Sequence, residues 1–153
     1  MASPSLPPES RDLRTALSAL LTELTHRIDC GEPVGELFQE GALLRTPRGD
    51  TRGRGPIAEL FATSFASRRR SGHISRHSSL DMHVRAIANN RFEVRSLLLA
   101  FAMNPADPAG GTLLIGDQID VVELESDGAY RFVERQLVPA LEFSLTPKGK
   151  AGH

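Results

Sequence analysis

The chain has 153 residues, 40% hydrophobic and 24% charged, with a formal net charge of −1. These proportions fit one ordinary globular domain with a continuous core, and they exclude a chain that is basic overall, as many nucleic-acid binders are. The single cysteine, Cys30, excludes an intramolecular disulfide and a four-thiolate metal site. Sixteen of the eighteen cationic residues are arginines, tryptophan is absent, and Tyr130 is the only tyrosine.

The first eight residues, Met1 to Pro8, carry neither a charged leader nor a long apolar stretch, so residues 1–8 are expected to be a loose tail. The longest strongly apolar run, Leu97 to Met103, is far short of the ~20 residues a membrane span needs. A cytoplasmic protein with no membrane partner is the resulting expectation. One domain is expected over residues 9–145, followed by a polar tail over residues 146–153.

Leu13, Leu17, Leu20, Leu21, Leu24 and Ile28 recur at helical spacing and predict a first helix, stopped by Gly31 and Pro33. A helical turn is expected around Glu36 to Phe38, then a short strand through Ala42 to Arg45. Thr46 to Gly55 reads as a Gly/Pro-rich loop. A further helix is expected from Pro56, with Ile57, Leu60, Phe61, Ser64 and Phe65 on one face.

After Gly72 the period changes to that of strands. Ile74 to Ala88 alternates, and Asn89-Asn90 suits a two-residue hairpin turn into Arg91 to Met103. Asn104 to Gly111 reads as a loop and Thr112 to Glu125 as the next strand. The Asp127-Gly128 turn returns the chain through Ala129 to Leu137, and Pro139 is expected to break or bulge that strand. Helices followed by hairpin-linked strands make an α+β layout, and strands this long must twist and curl. Helices packed on the concave side would leave a cavity suited to a small ligand.

Four segments then carry a family resemblance. They are Ile28-Asp29-Cys30-Gly31-Glu32 with Leu37-Phe38; Gly49 to Ile57; Arg76-His77 with Asp81; and Gly116-Asp117-Gln118-Ile119-Asp120 running to Asp127-Gly128-Ala129-Tyr130-Arg131-Phe132 and Arg135. Over roughly residues 10 to 145 the chain resembles the SnoaL-like group of the nuclear transport factor 2-like superfamily. The resemblance implies a cone-shaped α+β fold: a strongly curved antiparallel (mixed) sheet with the N-terminal helices on its concave face. It also implies a pocket for a small hydrophobic molecule, no cofactor by default, and a homodimer formed through the sheet. Relatives include scytalone dehydratase, polyketide cyclases and limonene epoxide hydrolase.

In scytalone-dehydratase-like members an Asp at the position of Asp29 works with a strand His, which His77 matches. A neutral His77 would then remove a proton α to a carbonyl while Asp29 orients it, a cofactor-independent lyase or isomerase step of the dehydratase or cyclase kind. The direction of His77 stays open in the residues themselves. Alternation groups it with Ser79, Asp81 and His83, opposite Leu80, Met82 and Val84. It points away from the cavity if the apolar face lines that cavity, and inward if the apolar face is a convex dimer surface; the resemblance favours inward. Phe61, Phe65, Asp81, Arg95, Leu99, Gln118 and Asp120 are the expected substrate contacts.

The chain also departs from the scytalone dehydratase pattern. Tyr130 lies after a turn instead of where tyrosines hold the reacting water. No second histidine occurs near Leu114 to Gly116, and Asp81 stands where Asn is common.

Two further readings follow. One is a non-catalytic binding or assembly module, like the small subunits of ring-hydroxylating dioxygenases. The other is an epoxide-hydrolase-like site, with Arg95 between two carboxylates drawn from Asp120 and Asp29; the plainer role for Asp120 is an ion pair with Arg135.

Histidines His73, His77 and His83 do not suggest a metal, because strand residues four apart are about 13 Å apart. Between Arg45 and Arg76 eight arginines face only Asp50 and Glu59, whereas eight acids between Asp107 and Glu142 face only Arg131 and Arg135. Such polarity suits steering of an anionic ligand or ordering of a dimer. Nucleic-acid binding is not expected, since no aromatics interleave with the arginines. No phosphate-binding Gly-x-x-x-x-Gly-Lys loop and no Gly-x-Ser-x-Gly elbow occurs.

Overall fold

The computed structural model describes residues 8–145, so most of the expected end tails lies outside the described residues. Helix α1 spans Pro8–Cys30. Its leucines at 17, 20, 21 and 24 are buried in one stripe, as spacings of three and four require. Each such burial contributes roughly 1.5–3 kcal/mol. The helix ends where the N–H groups of Gly31 and Glu32 both donate to the Arg27 carbonyl, at 2.8 and 2.9 Å. Gly31 has φ +77°, and a Cβ there would lie 2.3 Å from the Phe65 ring. Glycine is thus needed twice over, for the left-handed cap and for the approach of Phe65.

A 3-10 turn at Gly35–Leu37 leads into β1 (Phe38–Thr46). The expected loop after β1 contains a short strand instead, β2 (Gly49–Arg52), paired antiparallel to β1. No alternation announces it; backbone pairing with β1 alone makes it a strand. Helix α2 (Arg54–Arg70) follows and buries only Ile57 fully. Phe61 packs against the core and stacks on Phe38 at 6.5 Å.

Four long strands complete the described residues: β3 (Ile74–Ala88), β4 (Arg91–Asn104), β5 (Asp107–Leu124) and β6 (Tyr130–Leu145). The expected loop at Asn104 to Gly111 is shorter than its composition suggests, because β5 already starts at Asp107. Pro139 sits opposite Gly116, next to a register shift between Ile115 and Gly116, so a bulge absorbs it without ending β6. The sheet runs β2-β1-β6-β5-β4-β3, with β1 parallel to β6 and the other neighbours antiparallel. It is a mixed, open sheet in an α+β domain. The helices cover one face, where the α1 leucines and Ile57 meet Phe38, Ala42, Leu44, Val94, Val122 and Phe132.

A bulge in β3 decides which residues share that face. The register of β3 against β4 shifts between Leu80 and His83, and Asp81 has φ +52°. Before the bulge Ser75, His77 and Ser79 are the more buried residues; after it, Met82 and Val84 pack on the core. Leu80 is exposed on the outer face. One extra residue reverses the alternation, so His77 and the Met82–Val84 pair lie on the same, helix-covered side. The two directions open for His77 had assumed an unbroken strand.

Candidate active site

Asp29 is the second-last residue of α1, and its carboxylate meets the inner side of β3. His77 Nδ1 lies 2.6 Å from Asp29 Oδ1, and the backbone N–H of His77 donates to Asp29 Oδ2 at 2.9 Å. Ser75 Oγ donates to Oδ1 at 3.1 Å. The two side chains are only 10% (Asp29) and 20% (His77) exposed. Three donors thus hold one carboxylate in a fixed position between a helix end and a strand. With Nδ1–H donated to Asp29, the His77 lone pair is left on Nε2, the tautomer a general base requires. Ser75 was not singled out from the sequence; its position two residues before His77 on a strand is the signal that could have found it.

Asp29 also borders a cleft of about 300 Å³ between the C-terminal ends of α1 and α2 and the start of β3. Phe65, Arg68, Ser75 and Arg76 are among its walls. Phe65, one of the expected substrate contacts, therefore does line a cleft beside Asp29.

The other expected contacts are dispersed. Phe61 is part of the core and not of the cleft. Asp81 is exposed at the bulge, bordering a broader groove between α1 and β3. Arg95 and Leu99 belong to the outer face: Val94, Ser96 and Leu98 are the buried positions of β4, and alternation turns 95 and 99 the other way. Arg95 is 58% exposed and pairs with Glu93 at 3.0 Å. It does not lie between two carboxylates, so the epoxide-hydrolase arrangement built on it is not formed.

Gln118 and Asp120 do face inward. Gln118 Oε1 accepts from Ser79 Oγ at 3.0 Å and from Ser96 Oγ at 3.4 Å. Asp120 is fully buried, and Arg135 Nη1 donates to its Oδ2 at 3.0 Å. Burial outweighs the attraction of Arg135 and pushes the Asp120 carboxyl up from 3.8 to about 6. Arg135 also stacks over Phe132, with 5.2 Å from guanidinium carbon to ring centroid. These polar groups descend diagonally over the inner face from His77 through Ser79 and Gln118 to Asp120, each placed by strand register.

Tyr130 packs on Phe92 at 6.2 Å. Phe92 lies eight residues along β4 from Ala100, the residue opposite His77. That is roughly 26 Å, so Tyr130 cannot hold a water at the Asp29–His77 pair. Among the described residues no three His, Cys, Asp or Glu side chains gather as a metal requires, and no helix is long and apolar enough to cross a membrane.

No family model matches the sequence, and no curated protein matches it either. Solved structures do resemble the fold. A candidate scytalone dehydratase from Novosphingobium aromaticivorans superposes with a TM-score of 0.76 at 18% identity, covering 94% of this chain and 97% of that one. LinA gives a TM-score of 0.78 at 14% identity, covering 94% and 97%. A candidate aromatic ring hydroxylase from Novosphingobium aromaticivorans gives 0.71 at 16% identity, covering 92% and 96%. With two helices on one face of an open six-stranded mixed sheet, the chain has the cone fold of the nuclear transport factor 2-like, SnoaL-type proteins.

Proposed function

We propose that the protein is a cofactor-independent lyase that carries out elimination on a small molecule, with His77 as general base and Asp29 orienting it. The observation that carries this reading is the 2.6 Å contact between His77 Nδ1 and Asp29 Oδ1, reinforced by the second carboxylate oxygen on the His77 backbone N–H. In the step itself His77 Nε2 takes a proton from carbon. The C–H electron pair becomes the new C=C bond, and the leaving group on the adjacent carbon departs with its own pair. Asp29 stabilises the imidazolium so formed. Two neighbours in fold carry compatible names, the candidate scytalone dehydratase and a hexachlorocyclohexane dehydrochlorinase, LinA type 2.

The test is a panel of β-hydroxy and β-halo compounds, read by new alkene absorbance or released halide. Turnover should appear with the wild type and fall about 10²–10⁴-fold in His77→Gln. Full activity in a folded His77→Gln would refute the assignment.

We also propose a homodimer formed through the outer sheet face. Leu80, Phe101, Val138, Leu141 and Phe143 are exposed there, and large exposed apolar residues gathered on one face mark association surfaces.

A further inference from the structure

The cleft beside Asp29 carries more positive charge than its one carboxylate can balance. Arg68, Arg69 and Arg76 line it together with His73. Asp29 is already engaged by Ser75 and His77. Among the described residues none of the three arginines has a carboxylate within 4 Å; Arg14, Arg48, Arg52 and Arg70 have none either, and what sets these three apart is that they gather on one cleft.

The contacts these arginines do make are with neutral groups. Arg68 donates to Ser64 Oγ at 2.9 Å and to the Ile28 carbonyl at 3.4 Å, which holds its guanidinium half-buried at the inner wall. Burial lowers its pKa, and the charge of Asp29 only partly offsets this. Arg76 donates to the Ser75 carbonyl at 2.7 Å, and Arg69 is exposed at the rim. Three guanidinium groups around one carboxylate that is already engaged leave a net positive cleft, which is satisfied best by an anion brought from outside. Phe65 and Ile74 supply an apolar flank. A volume of about 300 Å³ is at the small end of ligand pockets (~300–1,000 Å³), which suits a small occupant.

We propose that this cleft binds a small oxyanion, a carboxylate or phosphate group carried on an apolar body. The anion sits against Arg69 and Arg76 with Arg68 behind it. The apolar body lies over Phe65 and Ile74, and its reacting carbon is directed toward Asp29, the member of the Asp29–His77 pair that lines the cleft. This names a substrate class for the elimination proposed above and rests on that reading for the direction of the carbon alone. Anion binding itself requires no catalysis.

The test is calorimetric titration at low ionic strength with benzoate and phenyl phosphate, and with benzamide as a neutral control. At least one anion should bind about tenfold or more tighter than benzamide, and added salt should weaken it. The preferred anion identifies the oxyanion as carboxylate or phosphate. Arg69→Gln and Arg76→Gln should each weaken it about five- to tenfold, and the double variant should bind the anion and benzamide alike. Asp29→Asn removes a negative charge from the wall, so it should retain or strengthen anion binding while losing elimination. Benzamide binding as tightly as both anions, an unchanged anion affinity in a folded double variant, or no binding of either anion would overturn the proposal. Anion binding without turnover on any substrate would support the cleft and count against the lyase reading alone.

Discussion

Replacing Asp120 by Asn should not weaken the protein at pH 7, although it deletes the charge of a buried ion pair. Asp120 is fully buried, only Arg135 faces it, and its Oδ1 has no hydrogen-bond partner among the described residues. Its carboxyl lies at about 6 against an ordinary 3.8, with burial the larger cause and Arg135 opposing it. The folded chain therefore binds a proton here between about pH 4 and 6 that the unfolded chain does not. Stability from this group falls as pH rises through that window, and above it the ionised carboxyl costs a constant amount. The gap of about 2.2 pH units, at 1.36 kcal/mol each, sets a ceiling of roughly 3 kcal/mol.

Asn keeps the acceptor for Arg135 without the charge, so Asp120→Asn should gain between zero and that ceiling at pH 7. With an unfolding entropy of about 2.1 cal/mol/K per residue, the ceiling corresponds to roughly 9 °C in Tm. Urea denaturation from pH 4 to pH 8 should show the two proteins converging near pH 4. Arg135→Met should do the opposite, losing about 3–5 kcal/mol at pH 7 because it strands a buried carboxylate, and losing less at pH 5. A loss above about 1 kcal/mol in Asp120→Asn that is equal at pH 4.5 and pH 7 would refute the reasoning.

The remaining predictions concern the cap, the bulge and the outer face. Gly31→Ala should destabilise by more than the ~1 kcal/mol of a left-handed alanine, because its Cβ also meets the Phe65 ring; a smaller shift in urea midpoint would show that Phe65 yields. Asp81→Val should lose about 1–2 kcal/mol while Asp81→Gly changes stability little, as the φ of +52° implies; equal losses in the two would argue against that backbone. Phe101→Glu on the outer face should lower the sedimentation mass of the proposed dimer to that of a monomer, with the helical circular dichroism unchanged.

The order of elements is readable along the chain wherever a local pattern is strong. The leucine stripe of α1 needs only its spacing, and Asn89-Asn90 and Asp127-Gly128 do mark the ends of paired strands. β2 was not readable, because four residues rich in Gly, Asp and Arg form a strand only with β1 beside them. Arg95 and Leu99 were placed on the wrong side for a related reason. The inner face of β4 at that level carries Ser96, whose hydroxyl is satisfied by Gln118 on β5, a partner more than twenty residues away. Polar inner positions weaken the apolar signal that alternation depends on.

Asp29 and His77 could each be picked out as residues, but nothing local states that they meet. Their contact spans 48 residues and depends on where α1 stops and how β3 lies beneath it. The β3 bulge shows the limit most clearly. Period-two alternation determines which residues share a face only while the pairing stays regular, and one inserted residue reverses it at small cost for an Asp that tolerates a left-handed φ. Sequence patterning thus determined the two helices, the long strands and the α+β class, which arise from neighbours along the chain. Tertiary pairing decided the inner face, the buried Asp120–Arg135 pair and the unpaired arginines around Asp29, because each depends on register between distant strands and on charges brought together only when the sheet curls under the helices.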